Sequence, residues 1–351
     1  MGLPDGGPRP PARALVTGIT GQDGGYLAER LLDEGWAVHG MVRGDDPGRA
    51  DLLERCPDAV LHDGDLRDES SLARVVRDAD PDEVYNLGGI SSVAFSWEHP
   101  VLTADVVALG AARLLDQAWR HQERRGRAVR FVQASSAEIF GDPQTAPQDE
   151  STPVRPTSPY GAAKAHAHAL TGVYRARGLH AVSLVLYNHE SPRRPASFVT
   201  RKITQAAARI ASGRQDELVL GNLDARRDWG WAPDYVDAMV RAARHPVAGD
   251  YVVATGEART VRDFVQAAFA RAGVDDWQDR VRVDPALVRP VDAALQVGDA
   301  GSAGRRRWAS RSWSAEWSTP TCRLPAERSP LNRGWITLQH SSVGADGQGT
   351  A

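Results

Sequence analysis

The chain has 351 residues and a formal net charge of −3; 42% of the residues are hydrophobic and 25% are charged. That balance excludes a small module, a disordered chain and a strongly basic or acidic partner for polyions, so no nucleic-acid ligand is expected. Two cysteines, Cys56 and Cys322, are too few for a disulfide framework or a metal cluster and suggest a reducing, cytoplasmic setting, and no apolar run approaches the roughly 18 residues of a membrane helix.

Residues 1–12 are rich in Gly and Pro and read as a flexible leader. From Arg13, strand, turn and helix alternate. Ala14-Leu15-Val16 is an apolar run of the kind a strand buried on both faces shows; glycines and a helical stretch, Tyr26–Asp33, follow it. Further strands are predicted at Ala37–Val42, Val60-Leu61, Glu83–Leu87, Val129–Ala134 and His180–Tyr187, with helices at Ser70–Asp78, about Val101–Arg120, and Pro159–Arg177. This alternation predicts an α/β fold, a doubly wound parallel (Rossmann) sheet over residues 13–187. After Asn188 the regularity weakens. Helices near Phe198–Ser212, Pro233–Arg244 and Val261–Ala272, with short strands near Leu218–Leu220 and Tyr251–Ala254, predict a smaller C-terminal substrate-binding part over residues 188–304. Residues 305–351 hold Trp308, Trp313, Trp317 and Trp335 among Ser and Arg without helical or strand period, and read as an atypical, disordered tail.

The first strand runs into Gly18-Ile19-Thr20-Gly21-Gln22-Asp23-Gly24 and then into a helix. Glycines so spaced permit a tight turn and let a pyrophosphate reach the N–H groups of the helix N-terminus, which predicts a dinucleotide site. The end of the second strand should meet the adenosine ribose. Arg43 stands there and would suit a 2′-phosphate, favouring NADP; a plain solvated arginine is the alternative. Asp65-Leu66 could bracket the adenine, and Leu87-Gly88-Gly89 would let the chain pass close to the cofactor.

Tyr160 and Lys164 sit four apart on a predicted helix and so share a face. A lysine there can stabilise tyrosinate, and such a tyrosine can act as base toward an alcohol during hydride transfer. Ser136, just past the fifth strand, can hydrogen-bond the reacting oxygen. Glu138 beside it could remove a proton alpha to a ketone, a group that simple alcohol oxidation does not need. Arg227 and Arg289 are candidates for a substrate diphosphate, because arginine grips phosphate through paired hydrogen bonds; a surface ion pair is the bland alternative.

Together these strings resemble the extended short-chain dehydrogenase/reductases and, more narrowly, the GDP-mannose 4,6-dehydratases. Thr17-Gly-Ile-Thr-Gly-Gln-Asp-Gly24, Gln133-Ala-Ser-Ser-Ala-Glu138, Ser158-Pro-Tyr-Gly-Ala-Ala-Lys164, Asn188-His-Glu-Ser-Pro-Arg-Arg194, Phe198-Val-Thr-Arg-Lys-Ile203 and Arg227-Asp-Trp-Gly230 carry the likeness, and Ala254-Thr-Gly-Glu257, Arg289-Pro290 and Gly298-Asp299 extend it to about Ala303. The resemblance implies that Ser136, Glu138, Tyr160 and Lys164 are catalytic. It implies that His189 and Arg194 contact the cofactor, and that Ser91, Asn188, Glu190, Lys202, Asn222, Arg227 and Arg289 face the substrate. The implied mechanism oxidises carbon 4 of mannose with Tyr160 as base. Glu138 then takes the carbon-5 proton as water leaves carbon 6, and hydride returns to carbon 6. A GDP-mannose substrate, NADP and a homodimer without a membrane partner follow from the same likeness.

Five features depart from the family pattern. Gly44 stands where a second arginine is common, Ser92 where a histidine is usual, and Leu102 where a tyrosine is expected; segment 44–58 is short, which favours a dimer over a tetramer. After about Ala303 the text changes character, as a shift of reading frame would make it. A nucleotide-sugar epimerase or reductase, or a non-catalytic NADP-binding scaffold, is the alternative to a dehydratase, and Glu138 argues against both enzymatic alternatives.

Overall fold

The computed structural model describes residues 11–287 and 293–299. Arg289, the residues after 299 and most of the leader lie outside them. Seven strands form the main sheet: β1 Arg13–Thr17, β2 Ala37–Val42, β3 Val60–Asp63, β4 Glu83–Asn86, β5 Arg130–Ala134, β6 His180–Leu186 and, after the short β7 Asn188–Glu190, β8 Leu218–Leu220 and β9 Arg226–Trp231, the strand β10 Asp250–Val253. Their order is β10-β6-β5-β4-β1-β2-β3, and every neighbour is parallel. The doubly wound sheet expected from the alternation is therefore present.

In β1 the apolar run is continuous, yet its side chains part to opposite faces. Ala14 and Val16 join the core that also holds Leu27, Leu31, Val236 and Met239, while Leu15 joins the core of Leu72, Leu114, Leu115 and Phe131. Helices Gln22–Asp33 and Ala232–Arg244 cover the first face. Glu69–Ala79, Gly110–Arg125 and Pro159–Ala176 cover the second. Between Pro100 and Arg125 one wider π turn, Ala104–Leu109, interrupts what reads in the sequence as a single helix.

One placement differs from the sequence reading. The strand expected near Tyr251–Ala254 in the substrate part is β10, at the edge of the large sheet beside β6. A four-residue apolar run does not reveal its partner, and only the return of the helix Ala232–Arg244 to the first face brings it there. The rest of the C-terminal part has its own core, with Ile203, Leu218, Trp229, Phe264, Phe269 and Trp277 buried together. A small sheet of β11 Ala258–Thr260, β9 and, after β12 Val281–Val283, the strand β13 Leu295–Gln296 adds β7 alongside β9; β12 pairs β8 separately.

Asp228 joins the two parts. It is fully buried, and its oxygens accept from Thr255 N (2.9 Å), Thr255 Oγ1 (2.6 Å), Gly256 N (2.9 Å) and Gly298 N (3.4 Å). Burial pushes its carboxyl up to about 6 against those donors. Each neighbour is a donor, so an amide would set an NH₂ group against an N–H. Asp228→Asn is expected to lower unfolding stability by about 1–3 kcal/mol, read as a shifted urea midpoint at unchanged slope; an unmoved midpoint would show that the acceptor role is dispensable.

Candidate active site

β1 delivers the glycine turn. Gly18 has φ +68°, and a Cβ built on it would stand 2.8 Å from Gly88. At Gly24 a Cβ would meet the Gly18 carbonyl oxygen at 2.2 Å. The turn is thus closed to side chains, and Gly21 caps a helix whose first N–H groups have no intrahelical acceptor. A cradle that a methyl group would fill fits the pyrophosphate of a dinucleotide.

Gln22 and Asp23 turn from this cradle toward β7. Gln22 donates to the His189 carbonyl (3.1 Å) and accepts from Ser191 Oγ (2.8 Å). His189 places Nδ1 2.7 Å from the Tyr187 carbonyl and Nε2 2.8 Å from Asp23 Oδ2, with its ring stacked on Tyr235 at 4.3 Å. Both ring nitrogens face acceptors, so the ring is an imidazolium. Burial opposes that charge, but Asp23 holds the imidazole above its ordinary value; burial likewise opposes the Asp23 carboxylate, and His189 keeps it below the usual range.

Arg43 is exposed just after β2. Two further arginines stand close by: Arg67 pairs with Asp65 at 2.7 Å, and Arg49 pairs with Asp63. Asp46 accepts from Thr20 Oγ1 (2.8 Å) and from Gly48 N (2.9 Å), tying the loop after β2 to the glycine turn. These roles of Arg49, Arg67 and Asp46 went unread in the sequence, although Asp two residues before Gly is a turn signal.

β5 ends at Ala134, and the chain tightens into a 3₁₀ turn, Ala137–Phe140, that Ser136 caps by accepting from Glu138 N at 3.2 Å. Opposite it starts the helix Pro159–Ala176, with Ser158 Oγ accepting from Gly161 N (3.0 Å). Helix and turn are pressed together: a Cβ on Gly161 would lie 2.5 Å from the Glu138 carbonyl oxygen. This contact brings the Tyr160 phenol to the Ser136 hydroxyl and within the field of the Glu138 carboxylate. Burial pushes the phenol up to about 12, with Ser136 opposing and Glu138 adding. Lys164 donates to the Ala134 carbonyl (2.7 Å) and holds its ammonium 5.8 Å from the centre of the Tyr160 ring; burial lowers it to about 8. Ser136, Glu138, Tyr160 and Lys164 therefore meet at the carboxyl edge of the sheet, where open α/β sheets bind ligands.

The profile of the family described as GDP-mannose 4,6 dehydratase matches residues 15–312. GDP-mannose 4,6 dehydratase 1 of Arabidopsis thaliana is 48% identical over 84% of this chain and 84% of its own. The human GDP-mannose 4,6 dehydratase is 42% identical over 85% and 87%. The chain belongs to the GDP-mannose 4,6-dehydratase family. Among solved structures, the UDP-glucose 4-epimerase of Thermus thermophilus in complex with NAD superposes with a TM-score of 0.72 at 29% identity, over 84% of this chain and 93% of that one. A dTDP-glucose 4,6-dehydratase of Streptomyces venezuelae, with a TM-score of 0.74 at 23% identity over 86% and 93%, shares the fold.

Seen against this dehydratase family, the other expected residues divide. Glu190, beside Asn188 on β7, is buried; Thr200 Oγ1 donates to it at 2.7 Å, and Arg194 Nε lies 3.1 Å away, a charge contact without hydrogen-bond alignment. Burial raises the Glu190 carboxyl despite Arg194. Arg194 stacks on Phe198 at 3.7 Å. Lys202 donates to the Val219 carbonyl (2.8 Å), Asn222 accepts from Asp224 N (2.9 Å), and buried Arg227 donates to the Ala293 carbonyl (2.7 Å), so all three also hold the backbone of the C-terminal part. Ser91 is exposed. Ser92, which the resemblance sets where a histidine is expected, caps the helix Val93–Glu98 by accepting from Phe95 N at 3.2 Å.

The Asp23–His189 pair has a definite pH signature. The lowered carboxyl stabilises the fold above its ordinary 3.8 and loses this as pH falls through its native value; the raised imidazole stabilises below its ordinary 6.5 and loses this as pH rises through its native value. Asp23→Asn leaves a buried imidazole facing a lost charge. A loss of about 3–5 kcal/mol at pH 6 that shrinks as pH rises through the native value of the imidazole is expected; denaturant melts over a series of pH values check it, and an equal loss at every pH would contradict the ion pair.

Proposed function

We propose that this chain converts GDP-mannose to GDP-4-keto-6-deoxymannose, with NADP as resident cofactor, as a cytoplasmic homodimer. The observation that carries the reading is the meeting of a phenol, a hydroxyl, a carboxylate and an ammonium beside the glycine turn. An epimerase or reductase on this fold needs no Glu138, and the relatives at 42–48% identity bear dehydratase names.

The bound dinucleotide supplies the hydride acceptor at carbon 4 and the donor at carbon 6, and it ends unchanged. The Gly18–Gly24 turn, Gly88, Gly89, His189 and Lys164 would hold it. Tyr160 takes the proton of the 4-hydroxyl, and Ser136, which lies beside the phenol, orients the same oxygen. Since burial keeps the free phenol protonated at neutral pH, the Lys164 ammonium on the same helix face supplies the positive charge that favours its ionised form. The 4-ketone acidifies the carbon-5 hydrogen, which Glu138 removes; the protonated carboxyl then serves the departing hydroxyl of carbon 6.

Arg43, with Arg49 and Arg67 near it, favours a 2′-phosphate, and Gly44 removes one arginine from that grip. Free, buried Cys56 suits a reducing compartment. The homodimer rests on exposed apolar side chains of two helices that pack together: Val101 at 81%, Leu109 at 47% and Val173 at 59%.

The test is incubation with GDP-mannose and catalytic NADP⁺. A 4-keto-6-deoxy product without net NADPH is expected, from a species of twice the chain mass in light scattering. Glu138→Gln should abolish elimination, by about 10²-fold or more in kcat, with GDP-mannose binding retained. Stoichiometric NADPH consumption would mean a reductase, and undiminished turnover of the variant would remove the role of Glu138.

A further inference from the structure

Below the carboxyl edge of the sheet runs a buried chain of polar side chains that the proposed reaction does not use. Gly88 N donates to Thr17 Oγ1 (2.9 Å), and Thr17 Oγ1 donates to Asn86 Oδ1 (2.8 Å). Asn86 Nδ2 donates to Gln133 Oε1 (2.9 Å), and Gln133 Nε2 donates to the Ala134 carbonyl (2.9 Å). Thr17, Asn86 and Gln133 are each at most 3% exposed. That carbonyl also seats the Lys164 ammonium at 2.7 Å.

The direction of the chain is forced. The Ala134 carbonyl can only accept, so Gln133 turns its NH₂ there and its oxygen to Asn86, and Asn86 in turn gives its NH₂ to Gln133 and leaves its oxygen to accept from Thr17. Thr17 Oγ1, which accepts from Gly88 N, thus gives its own proton to Asn86. Two side-chain amide dipoles thus point their positive ends at the lysine's seat, and one acceptor position of the Ala134 oxygen is taken. We propose that Gln133 is a positioning residue for Lys164: together with Asn86 and Thr17 it fixes the Ala134 carbonyl from behind and shares its acceptor strength, tying the ammonium beneath Tyr160 to the glycine turn two strands away.

The charged groups facing Lys164 are Asp23 on the first helix, which favours the ammonium, and His189 behind Asp23; Tyr160 lies on its own helix. The chain of amides acts in the same direction as burial, against the ammonium. Without it, the whole acceptor strength of Ala134 passes to Lys164.

The chain contains two lysines, Lys164 and Lys202, so the protein labelled with ¹³C at lysine Cε gives two signals, and Lys202→Arg assigns them. In Gln133→Met the Lys164 signal should titrate about one pH unit higher than in the wild type. The alkaline limb of the kcat profile should move with it, with KM for GDP-mannose unchanged. Thr17→Val, which cuts the far end, should shift Lys164 the same way by less, and Thr17→Ser should restore the wild-type titration; these two carry the test if Gln133→Met does not fold. The kinetic arm rests on the function proposed above, whereas the NMR arm does not. A shifted Lys164 without GDP-mannose turnover therefore supports the chain and counts against that function. A Lys164 titration identical to wild type in the folded variants, or a loss of kcat equal at every pH, overturns the proposal.

Discussion

The helix Pro159–Ala176 and the turn Ala137–Phe140 lie so close that a methyl group on Gly161 would stand 2.5 Å from a backbone carbonyl. The remainder of the site depends on this contact. It sets the phenol of Tyr160 on the first turn of one element against Ser136 and Glu138 at the start of the other. The i, i+4 relation of Tyr160 to Lys164 then carries the ammonium back beneath the sheet edge to Ala134. A larger residue at 161 would separate the groups by moving rigid elements rather than side chains, since the obstruction is backbone.

The same region concentrates buried polar groups. Asp23, Lys164, His189, Glu190 and Asp228 are all less than one-tenth exposed or strongly desolvated; Glu190 is held by Thr200 and Arg194 nearby in the chain, and the other four by partners from more distant parts of it. Buried charges without partners are expensive, and with them they specify geometry more than they stabilise. Here they stitch β7 to the first helix and the Thr255-Gly256 turn to β9, so the C-terminal part is fixed on the sheet at the site itself. The long reach of these bonds also ties the glycine turn to β7 and the residues just after it, through Gln22 and Ser191 as well as Asp23 and His189.

Much of this was legible from local pattern. Buried runs such as Ala14-Leu15-Val16 announce parallel strands, the glycine spacing announces a turn at a helix start, and Tyr160 with Lys164 share a helix face by arithmetic. What was not legible is what depends on distant pairing. Asp23 and His189 are 166 residues apart, and nothing periodic in the chain relates them. Residues read as facing the substrate, Lys202 and Arg227 among them, also hold backbone carbonyls, a partnership the sequence does not announce because a cation's acceptor is set by tertiary placement. β10 was misplaced for the same reason: strand propensity is local, and sheet neighbours are not. Ser92 was read as a missing histidine, although a serine just before a short helix is a cap that the sequence already offered.

In the proposed reaction carbon 4 is oxidised, carbon 5 deprotonated and carbon 6 reduced without the sugar or the carried hydride leaving the site. GDP-mannose deuterated at carbon 4 interrogates this directly. The account predicts that the deuterium appears on carbon 6 of the 4-keto-6-deoxy product, undiluted by protium from water. Release of that deuterium to the solvent would contradict it.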